Sequence, residues 1–328
     1  MSTLFSHFFE KINQITPLEA NFTEVLDGIV VKPKMLYFYG KMPENVVKNG
    51  VSGRPKTVAI VGSRHNTRYG EEVAYKLAYE LGKAGVVVVS GLAFGVDSIG
   101  HRGCLDAGGM TVAVLGTAID DIYPKAHIEL AKEIVEKGGM VMSEYAPRTA
   151  EYQSRPLAPG EYLDASGRRR IDFKGAFLHR NRLISGLADI VVVVEAAERS
   201  GSLNTATHAL AQGREVFAVP GNITNPYSRG CNKLIAQGAF PYTEPDDVLR
   251  MLFPEDFVKK QKRLRQAGLV GDTDAETVVL TAIAAGARKG GDIMKVALLP
   301  AEVFNQTITM LEIKGRVRAL GMNCWGLI

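Results

Sequence analysis

The sequence predicts an α/β protein with a doubly wound, mostly parallel Rossmann-like sheet, followed by a small winged-helix-like domain at the C-terminal end. Six short runs of β-branched and other apolar residues alternate with segments of helical spacing, and glycine-rich stretches follow these runs. Strands that alternate with helices form parallel sheets covered on both faces, and right-handed crossovers make such sheets doubly wound. The last part of the chain instead has helical patterns followed by a short hairpin pattern.

The predicted strands are continuous apolar runs, as expected for strands that are buried on both faces. They cover residues 57–62, 86–90, 111–116, 140–144, 190–195 and 215–221. Between them, apolar residues at helical spacing predict helices over 69–83, 95–107, 126–136, 203–211 and 232–236. Ligands of such sheets bind beyond the carboxyl ends of the strands, which is where the glycine-rich stretches lie.

Changes of pattern divide the chain into four parts. They are a short N-terminal extension (1–54), a Rossmann-like core (55–254), a basic linker (255–270) and a winged-helix-like domain (271–328). The extension is predicted to be helical to about Asp27, and residues 35–40 read as an extended segment packed on the sheet. Within the core, residues 147–175 show no sustained periodicity and predict a long loop, or a loop that holds a small hairpin.

The C-terminal pattern is that of helices followed by a wing. Thr273 or Asp274 can cap a helix that runs through Ala285. A second helix is predicted from Leu299 to Lys314, because Gly315 stops it. The residues after Gly315 alternate and turn as a short hairpin does, which completes a winged-helix-like module.

The composition excludes several classes of protein. Hydrophobic residues make up 46% and charged residues 23% of the 328, which excludes a disordered chain. The net charge of +4 resides in the two ends of the chain, so a nucleic-acid site in the core must be a local patch. The three cysteines are far apart and form no CxxC pair, which argues against a zinc site. The sequence shows no signal peptide and no apolar run long enough to span a bilayer, so we expect a cytoplasmic protein that needs no metal or cofactor.

The loop after the first predicted strand carries Gly62, Ser63 and Arg64. Small residues at this position let a phosphate approach the free N–H groups of the next helix, and an arginine adds a cationic fork. The loop matches neither GxGxxG nor GxxxxGK[ST], so neither a dinucleotide fingerprint nor a P-loop is present. Arg64 is therefore either a phosphate contact or a solvated loop arginine.

The next two loops give weaker signals. Gly91 and Gly95 flank a tight turn after the second strand, and Asp97 and His101 are spaced to pair on one helix face. We interpret that pair as structural, since a metal site would need a third ligand nearby. After the third strand, Lys125 is either a second candidate cation or an ordinary surface lysine.

Three polar residues stand in an apolar stretch before the fifth strand. They are Arg180, Asn181 and Arg182. Contact with an anionic ligand is the favoured interpretation, and a salt bridge with Glu144 or Glu195 is the alternative.

The loops after the fifth and sixth strands also resemble phosphate cradles. The first is rich in small and hydroxyl residues, and the second leads into another helix start; the candidate residues are Ser200, Gly201, Ser202, Thr205 and Asn232. Ser202 or Thr205 can equally be a helix N-cap with no ligand. Five such loops at one sheet edge indicate an extended ligand that carries phosphates.

Together these motifs resemble the DNA-processing protein A (DprA/Smf) family. The matching motifs are VAIVGSR, SGLAFGVDSIGH, GGMTVAVLG, DDIYP, RNRLISGLAD, SGSLNTATHALAQGR, VFAVPG and GCNKLIAQGA. The resemblance implies a core that binds single-stranded DNA and passes the strand to a RecA-type recombinase during natural transformation. It also implies phosphate contacts from Gly62, Ser63 and Arg64, with Lys125, Arg180 and Arg182 at the family's other basic positions. We expect a homodimer without catalytic residues.

The alternative is an enzyme that binds or hydrolyses nucleotides, with the related lysine-decarboxylase-like Rossmann fold. Those enzymes carry PGGxGTxxE, whereas this chain has SGSLNTATHA at the matching place and no acid after Thr205. The usual catalytic acid is absent, so we favour binding without turnover. The loop between Tyr145 and Leu178 is longer than the family pattern. Its arginines and Lys174 favour an extension of the DNA track, and a solvated insertion is the alternative.

Overall fold

The computed structural model describes residues 11–44, 46–48, 51–148, 161–163, 169–255 and 268–328. The chain forms two compact units, Met1–Leu252 and Phe253–Ile328. Most of the predicted basic linker at 255–270, and most of the predicted loop at 147–175, lie outside the described residues. Among the helices that are described, none combines the length and the apolar character needed to cross a bilayer.

The first unit is built on one large sheet. Its strands are β1 (Asn13–Ile15), β2 (Leu36–Gly40), β3 (Val46–Lys48), β4 (Val51–Gly53), β5 (Thr57–Val61), β6 (Val87–Ser90), β7 (Thr111–Val114), β8 (Met140–Ser143), β9 (Glu161–Leu163), β10 (Arg169–Ile171), β11 (Ile190–Val193), β12 (Glu215–Ala218) and β13 (Phe240–Pro241). Nine of these strands form the sheet in the order β1-β2-β8-β7-β6-β5-β11-β12-β13. Seven neighbouring strands of this sheet run parallel, namely β8, β7, β6, β5, β11, β12 and β13. β2 and β1 add an antiparallel edge next to β8.

The strand order places a topological switch point between β5 and β11. From β5 the chain builds outward through β6, β7 and β8, and it then returns to pair β11 with the other side of β5. Adjacent crossovers leave in opposite directions here, which opens a crevice beyond the carboxyl ends of the two strands. A ligand site is expected at this point.

Helices cover both faces of the sheet. They are α1 (Asn21–Glu24), α2 (Arg68–Lys83), α3 (Val96–Asp106), α4 (Ile128–Glu136), α5 (Phe173–Leu187), α6 (Gly201–Ala211), α7 (Arg229–Ala236) and α8 (Pro245–Leu252). On one face, Leu183 and Ile184 of α5 pack with Val61 and Val114. On the other face, Leu130 and Ile134 of α4 pack with the buried residues of β7 and β8. Such continuous burial explains why the strands read as unbroken apolar runs.

The predicted fold class is confirmed, with two local differences. All six predicted strands are present; β6 ends at Ser90 as predicted, and the other five end one to three residues before their predicted ends. The N-terminal prediction is right only in part: β1 pairs antiparallel with β2 where a helix was expected, whereas the helical segments Pro17–Glu19, α1 and Val25–Gly28 follow and end near Asp27 as predicted. Cross-strand pairing at the sheet edge there overrides local helical spacing.

The long segment before β11 contains a small hairpin. β9 pairs antiparallel with β10, and Tyr162 lies opposite Arg170. This agrees with the prediction of a loop that holds a hairpin. The hairpin leads directly into α5, which the sequence pattern did not predict.

The second unit has winged-helix-like architecture, as predicted. Three helices, α9 (Asp274–Ala284), α10 (Gly290–Ala297) and α11 (Ala301–Ile313), precede the hairpin of β14 (Val317–Gly321) and β15 (Cys324–Leu327). The hydroxyl of Thr273 accepts a hydrogen bond from the Glu276 N–H and caps α9, as expected. Of the three helices in this unit, α10 was the one not predicted from the sequence, because its first two residues are glycines, which are poor helix formers.

Candidate functional site

A cavity of about 670 Å³ opens at the carboxyl ends of β5 and β11. It therefore occupies the switch point of the sheet. Nine of the residues selected from the sequence line it: Gly62, Ser63, Arg64, Arg180, Asn181, Ser200, Gly201, Ser202 and Thr205. They come from three separate segments of the chain, which the parallel sheet brings together.

The loop after β5 is fixed by backbone contacts and presents Arg64 to solvent. The carbonyl of Ser63 accepts a hydrogen bond from the Val96 N–H at 3.2 Å, and its hydroxyl accepts one from the His65 N–H at 3.0 Å. A Cβ on Gly62 would lie 2.7 Å from the Val96 side chain, so glycine is needed for this approach. Arg64 is exposed, and its Cζ lies 5.3 Å from the centroid of the Phe177 ring. The guanidinium is thus held beside an aromatic face while its donors remain accessible.

Arg180 brings a buried cation to the same ring. Its Cζ lies 5.8 Å from the Phe177 centroid, and its Nη1 donates to the carbonyls of Gly91 and Val114. Burial lowers the pKa of Arg180 to about 10, with nearby Asp97 opposing the shift and Arg64 adding to it. The side chain therefore remains charged at neutral pH.

Asp97 organises the loop after β6. Its Oδ2 accepts hydrogen bonds from the N–H groups of Gly91 at 3.1 Å and Ala93 at 3.4 Å. Burial raises the pKa of this carboxyl, whereas Arg180 and the two backbone donors act in the opposite direction. The carboxylate balances the arginine and shapes the loop against which the guanidinium rests.

The predicted pairing of Asp97 with His101 is wrong. His101 Nδ1 bonds instead to Thr111 Oγ1 at 2.7 Å, deep in the core. Burial lowers the pKa of His101 to about 3, and both His127 and Arg180 add to the shift. The i, i+4 spacing places both residues on α3, but Asp97 lies in its first turn and reaches back to the loop, where free N–H groups are available.

The amino end of α6 forms the opposite side of the cleft. Ser200 is its N-cap and accepts a hydrogen bond from the Ser202 N–H at 3.3 Å. The Asn181 amide donates to the Gly201 carbonyl and to Asn204 Oδ1, each at 3.2 Å, and so joins α5 to this turn. A helix N-terminus beside the arginines favours an anion, because its first N–H groups and its dipole present positive charge.

Three other sequence-selected residues do not line the cleft. Arg182 pairs with both oxygens of Glu144, at 2.8 and 2.7 Å, which was the alternative interpretation from the sequence. Lys125 lies on the surface and pairs with Asp121 at 2.6 Å. Asn232 exchanges hydrogen bonds with the backbone of Gly221 at 3.1 and 2.9 Å and fixes the start of α7.

Gly91 and Gly95 lie where an added Cβ would clash with neighbouring atoms. Gly95 has a φ of +74°, and a Cβ there would lie 2.3 Å from the Ser63 carbonyl oxygen. A Cβ on Gly91 would lie 2.6 Å from both terminal nitrogens of Arg180. These glycines support the loops of the site without lining the cavity themselves.

Gly91→Ala is therefore expected to displace the Arg180 guanidinium. The displacement breaks the bonds to Gly91 and Val114 in a packed interior, so we expect a loss of about 1–3 kcal/mol in the free energy of unfolding. Gly201→Ala is the matched control, because nothing lies within 4 Å of its added Cβ. Urea unfolding of both variants tests this; equal stability of the two would show that Arg180 does not need the space beside Gly91.

Several residues that line the cleft were not among the DNA-contact candidates chosen at the five loops. The charged and aromatic ones are Asp97, Tyr123, Lys174, Phe177 and Arg199. The rings of Tyr123 and Phe177 lie 5.6 Å apart. The sequence could have indicated both residues, because each is an aromatic residue shortly before a basic motif, PK or HRNR. Together with Arg64 and Arg180, the cleft combines cations with flat apolar rings.

The family of the chain follows from comparison with known proteins. The model of the DNA recombination-mediator protein A family matches residues 13–157 and 167–253. Protein Smf of Escherichia coli is 43% identical over 195 residues, which are 60% of this chain and 46% of that protein. DprA of Bacillus subtilis is 36% identical over 241 residues, or 74% of this chain and 71% of that protein. The chain thus spans about half the length of the first relative.

Two solved structures share the fold. DprA from Streptococcus pneumoniae has a TM-score of 0.58 at 35% identity, covering 75% of this chain and 76% of that one. DprA from Helicobacter pylori, whose structure concerns a single-stranded DNA binding mode, has a TM-score of 0.59 at 28% identity, covering 76% of this chain and 98% of that one. The chain therefore belongs to the DNA recombination-mediator protein A family, whose model matches most of the nine-stranded unit.

Proposed function

We propose that the cleft at the switch point binds single-stranded DNA. The observation that carries the proposal is that two guanidinium groups lie near the Phe177 ring, with Arg64 Cζ at 5.3 Å and Arg180 Cζ at 5.8 Å from its centroid. Proteins that bind single strands combine a positive groove for the backbone with aromatic rings on which bases stack. The likeness to Helicobacter pylori DprA, which binds single-stranded DNA, supports the same ligand here.

The chemistry of the cleft favours a single strand over a duplex. Stacking on Phe177 or Tyr123 needs an exposed base face, which a duplex keeps within its stack. The core needs no net positive charge to attract a DNA strand, because three cationic side chains line the cleft together. They are Arg64, Lys174 and Arg199. A cavity of about 670 Å³ is large enough to accept a base that has been splayed out.

The residues divide into contacts and supports in this proposal. The DNA contacts are Gly62, Ser63, Arg64, Lys174, Phe177, Arg180, Asn181, Arg199, Ser200, Gly201, Ser202 and Thr205. Gly91, Gly95, Arg182 and Asn232 support the loops and helices that carry them. Phosphates bind the arginines and the amino end of α6, and bases stack on the rings.

The wider role rests on the family. We propose that the protein protects exposed single strands and loads them with a RecA-type recombinase, as a homodimer in the cytoplasm. Binding a strand through its backbone and a few bases leaves the rest of the strand available to a second protein. The cleft needs no cofactor or metal for this role.

The alternative, an enzyme acting on nucleotides, has no acid after Thr205, and the buried Glu195 before that turn is engaged elsewhere. Glu195 is 1% exposed, and its carboxylate accepts bonds from the Thr67 N–H at 2.8 Å and the Thr67 hydroxyl at 2.6 Å. A Cβ on Gly70 would also lie 2.3 Å from it. The side chain is thus occupied in holding the start of α2, which supports binding without turnover.

Competition between DNA and a mononucleotide tests the proposal. With a fluorescein-labelled single strand bound to the full chain, AMP in large excess should displace little DNA, since it offers only one base and one phosphate. No adenine should be released. Displacement of the strand by AMP at comparable concentration, or base release that Glu195→Gln abolishes, would replace the binding function with the enzymatic one.

A further inference from the structure

One side of α11 exposes a line of aliphatic side chains in the second unit. The helix buries another side, where Phe304 and Leu311 join the core that contains Val279 and Ile283 of α9. The exposed side chains lie at i, i+7 and i+10, a spacing that places them along the same side of a helix. They are Val303, Met310 and Ile313, exposed 37%, 45% and 73%. This α11 stripe is apolar surface that the fold of the unit leaves in contact with solvent.

A leucine in a strained conformation precedes the helix. Leu298 is the C-cap of α10, has a φ of +53° and a ψ of +36°, and is 89% exposed. Helices commonly end with glycine or asparagine in this left-handed conformation, because larger side chains are strained there. The leucine therefore lowers stability and adds nothing to the core. Strain of this kind points to a role for the exposed side chain.

The charged residues of α11 are both acidic. Between Ala301 and Ile313 the sequence contains Glu302 and Glu312 but no lysine or arginine. Both glutamates are exposed. Glu312 accepts a long hydrogen bond of 3.4 Å from the Ala319 N–H, which leaves an oxygen for a cation. The exposed surface of the helix thus combines an apolar stripe with negative charge.

This charge is unsuited to reading a DNA duplex. Helix-turn-helix proteins place a recognition helix in the major groove, and lysine and arginine contacts to phosphates supply much of the affinity. The lysine that follows α11, Lys314, is already paired with Asp272 at 2.8 Å and with Glu276 at 2.5 Å. In a groove, α11 would bring two carboxylates towards the phosphates, so its surface is better matched to a protein.

We propose that Leu298 and the α11 stripe dock an amphipathic helix of a partner protein, one whose apolar stripe is bordered by lysines or arginines. Aliphatic side chains of the partner pack on Leu298 and the stripe, and its cations pair with Glu302 and Glu312. The second unit then serves as a protein-binding module. This role goes beyond the binding of DNA in the cleft and does not depend on it.

Two labelled model peptides test the surface on the full chain. One is a helical peptide of leucine and lysine at amphipathic spacing, and the other has glutamate in place of each lysine. The lysine peptide should bind more tightly, although the net charge of +4 on the chain opposes non-specific attraction of a cation. Leu298→Gly should weaken its binding by about 10- to 150-fold, the usual effect of losing one buried leucine. The melting temperature should stay the same or rise, because glycine adopts the left-handed conformation without strain.

Two further variants separate the apolar and the charged contributions. Val278→Ala is the matched control, an exposed aliphatic residue on α9, and should bind the lysine peptide as the wild type does. The double variant Glu302→Lys, Glu312→Lys should reverse the preference between the two peptides. Equal binding of both peptides by the wild type, binding of neither, or wild-type affinity in Leu298→Gly would overturn the proposal. A loss of affinity for a blunt DNA duplex in Leu298→Gly, with peptide binding unchanged, would make the surface a DNA reader and overturn it as well.

Discussion

Arg182→Leu is expected to lower the free energy of unfolding of the first unit by about 3–5 kcal/mol, the usual cost of removing one partner from a buried ion pair. The side chains of Arg182 and Glu144 are 4% and 6% exposed, and the two bonds between them are 2.8 and 2.7 Å long. The arginine also donates to the Val31 carbonyl at 3.0 Å and so ties the N-terminal segment to α5. Its loss leaves Glu144 buried without a charged partner.

His179 also lies 3.6 Å from Glu144, and burial lowers its pKa, with Arg182 adding to the shift and the carboxylate opposing it. Arg182 is therefore the charged partner of Glu144 in the wild type. The double variant Arg182→Leu, Glu144→Leu should recover most of the stability, because it removes the buried charge as well. Lys125→Met should cost about 1 kcal/mol or less, since its ion pair is exposed.

Urea unfolding followed by far-UV circular dichroism measures these differences. DNA affinity of the folded Arg182→Leu protein at low temperature should stay near that of the wild type, since Arg182 does not line the cleft. A stability loss below about 1 kcal/mol, or a selective loss of DNA binding, would return Arg182 to the set of DNA contacts.

The fold was predictable where local pattern and tertiary environment agree. Six strands are continuous, mainly apolar runs because both faces of the sheet are covered. The helix α5 escaped prediction because Arg180 occupies its buried face between Ala176 and Leu183, which interrupts the apolar stripe. The buried Arg180 contributes to the cleft, but it breaks the apolar pattern by which a helix is predicted from sequence.

The site was predictable as a set of loops but not as a set of contacts. Parallel strands bring their carboxyl ends to one edge, so Gly62–Arg64 and Ser200–Thr205 were expected to meet there. The sequence does not show that Arg182 finds Glu144, 38 residues away, while Arg180 lines the cleft. One turn of α5 decides which arginine faces which way, and only the packing of the helix fixes that turn.

Arg64→Glu is expected to weaken single-strand binding by roughly 10- to 150-fold, which corresponds to about 1.5–3 kcal/mol for a lost hydrogen bond to a charged group. Arg64 is exposed and its donors are accessible, so the reversed charge meets phosphate while the core is unaffected. The free energy of unfolding should change by no more than about 0.5 kcal/mol. Lys83→Glu is the control: it makes the same charge change at the last residue of α2, at the far edge of the sheet.

Fluorescence anisotropy across a salt series tests most directly whether the cleft binds single strands through its cations. A labelled strand and the blunt duplex of the same sequence are titrated with the full wild-type chain, Arg64→Glu and Lys83→Glu. We predict tighter binding of the single strand by the wild type, with a salt slope that falls by about 0.7 in Arg64→Glu only, because one phosphate contact is lost. Equal or tighter binding of the duplex, or wild-type affinity and slope in a folded Arg64→Glu protein, would contradict the account.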